Sequence, residues 1–243
     1  MTHRHRRICL VPHYRGVGGP SSFQRRLARS LAALGIDVSF DLSDRPYDVV
    51  LVIGATRRLG SLWRVRQAGI PIFQRLNGMN WMHRQRRTGW RHYLRAEWAN
   101  RLLAWTRDHL ATGVIYQSQF ARAWWERVRG PALVSATVIH NGVDLERFNP
   151  SGPEERPPDR ARILMVEGRL AGGYELGLEH ALALGEALSA QRRVELVIAG
   201  RIEETLRSQI DKRAVFPISW AGVLPPEDIP ALDRSAHFLF SAD

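Results

Sequence analysis

The stretch His140-Asn141-Gly142-Val143-Asp144-Leu145-Glu146-Arg147-Phe148-Asn149-Pro150 divides the sequence into two halves. It follows an apolar run, 133–139, that predicts a strand. Its Asn-Gly dipeptide is typical of turns, because glycine readily adopts positive φ. Three prolines in 151–158 then exclude a helix or a central strand. The stretch is therefore either an ordinary exit from a strand or a crossover between two α/β units.

Length and composition indicate a folded, cytoplasmic protein. The 243 residues accommodate one large domain or two of ordinary size, and 44% hydrophobic residues are enough for a packed core. No apolar run approaches the ~20 residues that span a bilayer, and the apolar run after the basic N-terminus is too short for a signal peptide. The single cysteine, Cys9, excludes internal disulfides and cysteine-cluster metal sites, and is expected as a small buried side chain.

Charge is divided unequally between the two halves. Residues 1–150 carry 24 arginines against nine acidic residues, whereas 151–243 carry 11 basic and 15 acidic residues. A strongly basic half favours an anionic partner, such as a phosphate-bearing ligand, a nucleic acid or an acidic membrane. The alternative is compositional: Lys212 is the only lysine, and such arginine bias also arises in GC-rich genomes.

Predicted strands and helices alternate along the first half, which favours a doubly wound parallel sheet. Ser21 and Ser22 are candidate N-caps of the first helix, 23–34, and Gly35 is a candidate residue just beyond its end. Strands are predicted at 8–12, 38–40, 47–53, 71–76 and 114–116, and further helices at 59–68 and 119–128, the last capped by Ser118.

A strand, a glycine-rich loop and a helix occur in this order in each half. The first loop, 13–20, holds Gly16, Gly18 and Gly19, and the second, 168–175, lies between a strand at 163–166 and a helix at 178–188. Such loops suit oxyanions, since glycine permits close backbone approach and a helix start supplies free N–H groups. The first loop does not match the dinucleotide or P-loop pattern, so an ordinary tight turn is the alternative there.

The segment 81–107 interleaves aromatic residues with seven arginines, and we refer to it as the aromatic–basic segment. A long helix is predicted from 84 to about 110. This composition is typical of contact with an acidic membrane or with nucleic-acid bases. Alternatively, the tryptophans pack inward and the arginines form a solvated face. No hydrolytic motif accompanies the segment, and its histidines, His83, His92 and His109, are expected to be structural or exposed.

Several segments together resemble glycosyltransferase family 4: Gly18-Gly19 before a helix, Ser118-Gln119-Phe120-Ala121-Arg122, Asn141-Gly142-Val143-Asp144, Gly168-Arg169-Leu170, and Gly222-Val223-Leu224-Pro225. The resemblance implies the GT-B fold, an α/β architecture of two Rossmann-like doubly wound domains. It assigns 1–139 to an acceptor-side domain, 140–160 to a hinge, and 161–243 to a partial nucleotide-sugar-binding domain.

The resemblance further implies a retaining transfer of a sugar from a nucleotide-sugar to a hydroxyl of a polysaccharide or lipid-linked acceptor, in the cytoplasm or at the inner face of the membrane. No metal or cofactor is implied. The acceptor side would include Asn77, Gly78 and Trp81. The donor would contact Gly18, Gly19, Arg169, Gly173, Tyr174, Glu175, Arg201 and Val223.

Three departures from the family pattern limit this expectation. No lysine follows Gly168-Arg169-Leu170, so Arg201 or backbone N–H groups would have to substitute for it. Asn77 stands where relatives place His or Asp; since an amide is no base, no catalytic residue is assigned. The family's Glu-x7-Glu motif would follow Asp243, so the chain is expected to be a fragment that is inactive by itself. The alternatives are a non-catalytic GT-B relative, or a basic module for anionic surfaces or nucleic acid, for which no nucleic-acid motif is present.

Overall fold

A computed structural model of the chain describes residues 6–16, 18–85, 89–152, 156–170 and 175–241. The chain consists of two compact units, Met1–Gly142 and Val143–Asp243. The division lies within the stretch 140–150 that separates the basic and acidic halves. Residues 141–144 form no turn, and Gly142 does not adopt the positive φ expected of it. The turn of this stretch forms instead where Phe148 N donates to Asp144 O, at 2.8 Å.

The N-terminal unit is built on a six-stranded, fully parallel sheet in the order β2-β1-β3-β4-β5-β6. Strands β1, β3 and β5 are largely apolar because both faces of a doubly wound sheet are covered, whereas β4 also carries the buried Gln74 and Arg75. The strands are β1 (Arg7–Val11), β2 (Asp37–Ser39), β3 (Val49–Ile53), β4 (Ile72–Leu76), β5 (Gly113–Tyr116) and β6 (Ser135–Val138).

Five helices connect these strands: α1 (Gly19–Ala33), α2 (Leu59–Gln67), α3 (Met82–Gln85), α4 (Trp90–Trp105) and α5 (Gln119–Arg129). A π-helical turn, Thr106–Leu110, continues α4. The predicted long helix from 84 to 110 is therefore wrong in part, since Gly89 adopts φ 86° immediately before α4 begins. The predicted cap of α5 is confirmed: Ser118 Oγ accepts from Ala121 N at 3.0 Å.

The start of α1 differs from the prediction, and its end agrees with it. The helix begins at Gly19 with Pro20 in its first turn, so Ser21 and Ser22 lie inside it and are not N-caps. Proline favours the first turn because its missing N–H is not needed there. Gly35, at φ 71°, does follow the last turn, where Gly35 N and Ile36 N donate to Ala32 O and Leu31 O in a Schellman arrangement.

The C-terminal unit is built on a four-stranded parallel sheet in the order β10-β7-β8-β9. Its strands are β7 (Ala161–Leu170), β8 (Val194–Ile202), β9 (Ile218–Gly222) and β10 (Phe238–Phe240). Its helices are α6 (Glu175–Ser189), α7 (Glu204–Arg213) and α8 (Ile229–Arg234). Ile163, Met165, Leu196 and Ile198 of the central strands are fully buried with Leu178 of α6, so that removal of apolar surface from water stabilises this sheet.

One predicted loop is partly a strand. Gly168, Arg169 and Leu170 were assigned to a glycine loop, but they belong to β7, which continues past an irregularity between Val166 and Arg169. The pairing resumes because β8 is equally long there, and Leu170 is fully buried against it. Arg169 is consequently a strand residue at the carboxyl end of β7.

Candidate functional site

The carboxyl edge of the six-stranded sheet brings polar groups from several strands together. Arg75 is the penultimate residue of β4, Gln117 follows β5, and Asn141 lies beyond the end of β6. Arg75 Nη2 donates to Gln117 Oε1 at 2.9 Å and to Asn141 Oδ1 at 2.7 Å. Tyr14, after β1, donates its hydroxyl to Ile53 O at the end of β3, at 2.8 Å. Open α/β sheets bind their ligands at this edge, so these contacts mark a candidate site in the N-terminal unit.

The first glycine loop is held firmly by the start of α1. Buried Gln24 accepts from Tyr14 N and donates to Pro12 O, both at 2.8 Å. Ser21 Oγ donates to Gly16 O at 2.6 Å. Gly18 adopts φ 125° directly before the helix, and no side chain caps the helix start. Gly18 and the exposed Gly19 thus present backbone N–H groups in the arrangement that favours anions.

The three residues predicted on the acceptor side lie in a braced loop after β4. Asn77 is half-buried, and its carbonyl accepts from Trp125 Nε1 at 2.8 Å. Gly78 is exposed. Half-buried Trp81 packs edge-on against Trp124, with ring centroids 5.3 Å apart. The loop therefore presents an amide and an indole from a backbone that is fixed by the core tryptophan Trp125.

A buried histidine cluster supports the same loop, and sequence reasoning did not find it. His83 is 4% exposed and lies 2.7 Å from Glu97 Oε1, which also accepts from Arg84. The hydrogen bond from Arg84, followed by that from His83, lowers the pKa of Glu97 to about 2. His83 Nδ1 lies 3.3 Å from Asn80 Oδ1, which ties the cluster to the loop. Thirteen residues separate Arg84 from Glu97, so no local pattern indicates the pairing.

The aromatic residues of the aromatic–basic segment do not generally pack inward. The alternative of buried tryptophans is therefore wrong for α4. Five large side chains of α4 are exposed, by 41–69%: Trp90, Tyr93, Leu94, Trp98 and Trp105. Trp90, Leu94, Trp98 and Trp105 fall within an arc of roughly 80° at 100° per residue, and we call them the α4 stripe. Arg91 lies over the Trp90 ring at 5.3 Å, and Arg57 lies over Trp98 at 5.0 Å.

In the C-terminal unit, two arginines stand side by side at the carboxyl edge of the sheet. Arg169 of β7 and Arg201 of β8 are direct partners in the parallel register. Both are exposed. Arg169 Nη2 lies 3.8 Å from Glu203 Oε1, with both side chains about two-thirds exposed; such a pair contributes little to stability. Arg169 is therefore free to exchange this partner for a ligand.

Gly200 allows the close approach of β7 and β8, the two strands that carry Arg169 and Arg201. Its φ is 146°, and a Cβ at this position would lie 2.1 Å from Glu167 O. Only glycine fits, because the carbonyl belongs to the irregular part of β7. The close approach sets the register in which Arg201 lies beside Arg169.

Two further residues of this unit that were predicted to contact the donor, Val223 and Glu175, lie within the described residues. Val223 follows Gly222, which ends β9 at φ 70°, and is 47% exposed. Glu175 lies in the first turn of α6, where a carboxylate occupies the helix end that would otherwise favour phosphate. Gly173 and Tyr174 lie outside the described residues.

An open cleft of about 550 Å³ lies at the opposite, amino-terminal edge of this sheet, between the end of α6 and the segment Val215–Pro217. It is far along the strands from Arg169 and Arg201. Within the described residues, no group of three or more His, Cys, Asp or Glu side chains could hold a metal ion. The carboxyl edge remains the candidate site.

No protein-family model matches the sequence, and no curated protein matches it. Solved structures do match. Sucrose-phosphate synthase from Thermosynechococcus elongatus has a TM-score of 0.69 and 13% identity over 97% of this chain and 75% of that chain. WaaG, a glycosyltransferase involved in lipopolysaccharide biosynthesis, has a TM-score of 0.63 and 12% identity, with coverage of 96% and 74%. An S. aureus MnaA–UDP co-structure has a TM-score of 0.51 and 15% identity, with coverage of 92% and 59%.

At these identities the likeness establishes the fold. The chain has an α/β fold of the GT-B type, with a Rossmann-like, doubly wound parallel sheet in each of its two units. The chain spans about three quarters of the first two structures and 59% of the third. The predicted fold class is confirmed by this agreement.

Proposed function

We propose that the protein binds a nucleotide-sugar and takes part in retaining transfer of the sugar to a hydroxyl of a polysaccharide or lipid-linked acceptor. The observation that carries the proposal is the adjacent placement of Arg169 and Arg201 at the carboxyl edge of the C-terminal sheet. Two guanidinium groups on neighbouring strands supply positive charge and planar hydrogen-bond donors for a diphosphate. Support for the donor class comes from the GT-B fold and from the resemblance around Gly168-Arg169-Leu170.

The chemistry requires stabilisation of a leaving group. In the transfer, the bond between the anomeric carbon and a diphosphate oxygen breaks, a bond to the acceptor oxygen forms, and the acceptor proton is released. Negative charge grows on the nucleoside diphosphate as it leaves. Arg169 and Arg201 would stabilise that charge, which is a large contribution to catalysis when the donors are already in place. With two guanidinium groups in this role, the mechanism needs no metal ion.

The remaining predicted residues take supporting roles in this proposal. Val223 would contact the nucleobase through its exposed apolar side chain. Gly18 and Gly19 would lie against the donor phosphates, and Asn77, Gly78 and Trp81 would contact the acceptor. Asn77 can donate and accept hydrogen bonds but cannot remove the acceptor proton, so it would orient the acceptor and the base remains unassigned.

We also propose that the aromatic–basic segment contacts an acidic membrane surface and so brings the site near a lipid-linked acceptor. The α4 stripe supplies tryptophan and leucine side chains, and Arg91, Arg95 and Arg101 are exposed on the same helix. Amphipathic rings beside arginines suit the interface of an anionic bilayer. None of the described helices is both long and apolar enough to cross a bilayer.

Calorimetric titration with nucleoside diphosphates tests the donor site. We expect Arg169→Gln and Arg201→Gln each to weaken binding of the preferred diphosphate by at least about tenfold, since charged hydrogen bonds are worth about 1.5–3 kcal/mol. Arg193→Gln is the matched control: it removes the same charge from the same sheet, next to the amino-terminal end of β8, where the side chain is 81% exposed.

Equal affinity in all three variants would show that the carboxyl edge does not hold the diphosphate. A titration in which the wild-type chain binds no nucleoside diphosphate would contradict the donor assignment as a whole.

A further inference from the structure

Arg75 occupies an unusual place in the N-terminal unit. It is the penultimate residue of β4, at the carboxyl edge of the sheet, and is only 6% exposed. Arginine is rarely buried to this degree unless an anion pairs with it. The sequence did not indicate this residue, because the segment 71–76 was predicted only as a strand.

The contacts of Arg75 satisfy only part of its guanidinium. Nη2 donates to the amide oxygens of Gln117 and Asn141. One face of the guanidinium stacks over the Phe23 ring, 3.8 Å from its centroid. Of five N–H donors, the three on Nε and Nη1 have no acceptor among the described residues. All partners are neutral, and Arg75 takes part in none of the ion pairs formed by the described residues.

Burial and a neighbouring positive charge make the environment of Arg75 favourable for an anion. Burial is the main cause that lowers the pKa of this guanidinium below its ordinary value, and the positive charge of Arg26 acts in the same direction. An arginine nevertheless remains protonated in proteins, so the charge persists. A buried cation without an opposite charge is strongly unfavourable.

The second buried arginine of this unit shows what complete pairing looks like. Arg107 is 1% exposed, and its Nε donates to Asp108 Oδ1 at 2.7 Å. Its Nη1 and Nη2 donate to Gly130 O and Arg129 O, both at 3.1 Å. Every nitrogen of Arg107 thus has an acceptor, and one acceptor is a carboxylate. Arg75 lacks both features and lies at the ligand-binding edge.

We propose that Arg75 binds an oxyanion, specifically a phosphate group of a substrate, at the carboxyl edge of the six-stranded sheet. Its free donors would bind two phosphate oxygens, which is the geometry that a guanidinium favours. Tyr14, in the loop before α1, donates its hydroxyl to Ile53 O, and Ile53 is the register partner of Arg75 on β3. The uncapped start of α1 adds backbone N–H groups to the same positive region.

This inference concerns an anion site and does not depend on the proposed sugar transfer. The phosphate could belong to a nucleotide donor or to a phosphorylated acceptor. The two sources share the chemistry that Arg75 recognises, and the experiment separates them.

Thermal unfolding in increasing inorganic phosphate, with chloride at matched ionic strength, tests the proposal. We expect the Tm of the wild-type chain to rise by at least about 2 °C, since a ligand of the native state stabilises it. Arg75→Met, which keeps length without charge, should lose this rise. Arg66→Met is the matched control, because Arg66 also donates to two neutral oxygens, Leu110 O and Ala111 O, and it should keep the rise.

Titration of Arg75→Met with nucleoside diphosphates then identifies the source of the phosphate. At least about tenfold weaker binding assigns the phosphate to the donor, and unchanged binding assigns it to the acceptor. Both results support the site, provided that the response to inorganic phosphate is lost.

A rise in Tm with phosphate that is the same in Arg75→Met and wild type would overturn the proposal and leave Arg75 a structural role. If Arg75→Met does not fold, NMR of the wild-type chain replaces it as the test. The Nε–H resonance of Arg75 is followed, and it is assigned by its absence from the spectrum of Arg75→Lys. A change in the chemical shift of this resonance on addition of phosphate supports the site. An unchanged chemical shift at saturating phosphate overturns it.

Discussion

Glu97 joins a buried histidine to an exposed arginine and so fixes the loop that precedes α3. Its carboxylate accepts from Arg84 Nη2 at 2.8 Å and lies 2.7 Å from His83 Nε2. Because the charged form is hydrogen-bonded in the folded state only, its pKa falls from the ordinary 4.5 to about 2. The carboxylate therefore stabilises the fold above the unfolded pKa, and this contribution is lost as pH falls from about 4.5 toward 2.

We expect the stability difference between wild type and Glu97→Gln to shrink as pH falls through this range. The measurement is the free energy of unfolding in urea at a series of pH values. Glu126→Gln serves as control, since Glu126 pairs with Arg122 on the surface of α5, where ion pairs contribute little. A difference for Glu97→Gln that stays constant with pH would contradict the role assigned to the carboxylate.

Some residues of the candidate site could be predicted from the sequence, and others could not. Arg169 was predicted from the resemblance of Gly168-Arg169-Leu170 to the family pattern, and Arg201 was predicted as a substitute for the lysine that this pattern usually contains. Arg75 and the pair of His83 with Glu97 were not predicted. Their partners are 14 to 66 residues away in the sequence, and only the packed sheet brings them together. Burial and pairing of charges are properties of tertiary structure that a local pattern does not contain.

At the scale of elements, α4 combines a buried face with an exposed aromatic one. Ala96, Asn100 and Leu103 are buried, whereas the α4 stripe lies on the outside. Exposed tryptophan is unfavourable in water, so a helix that displays several of them in one line indicates a surface that is covered in use. In the proposed membrane contact, the arginines beside the stripe would lie against anionic lipid headgroups.

Vesicle binding tests this element. Wild-type protein should co-sediment with vesicles containing phosphatidylglycerol and much less with pure phosphatidylcholine. The double variant Trp90→Ala/Trp98→Ala should partition at least about tenfold more weakly, because two interfacial rings are lost. Trp63→Ala removes a tryptophan of α2 that is 53% exposed and should bind like wild type. Equal partition of the double variant and wild type would exclude the α4 stripe as the contact.

Element order was predictable, and element ends were less so. Apolar runs and glycines identified the strands and most helices, since these patterns follow directly from burial and backbone freedom. Two ends differ for tertiary reasons. Strand β7 extends through Arg169 because β8 continues beside it, and α1 starts at Gly19 because Ser21 is used to brace the loop through Gly16 O.

At the scale of the molecule, two sheets lie in halves of different charge within one chain of the GT-B fold. The division at Gly142 and Val143 coincides with the change from a basic to an acidic half. Each half repeats the strand, glycine and helix arrangement, which is why the fold class could be predicted from the sequence. The identity of the sugar and of the acceptor could not, because selectivity depends on loop conformations that the pattern of strands and helices does not specify.

Amide hydrogen exchange of the wild-type chain, with and without saturating UDP, ADP or GDP, tests the proposed nucleotide-sugar site. We expect at least one of the three nucleotides to slow exchange at the carboxyl ends of β7 and β8, in 166–170 and 199–203. Exchange at the amino-terminal edge of the same sheet, in 190–194, should not change. No protection by any of the three nucleotides, or protection confined to 190–194, would contradict a nucleotide-sugar site at Arg169 and Arg201.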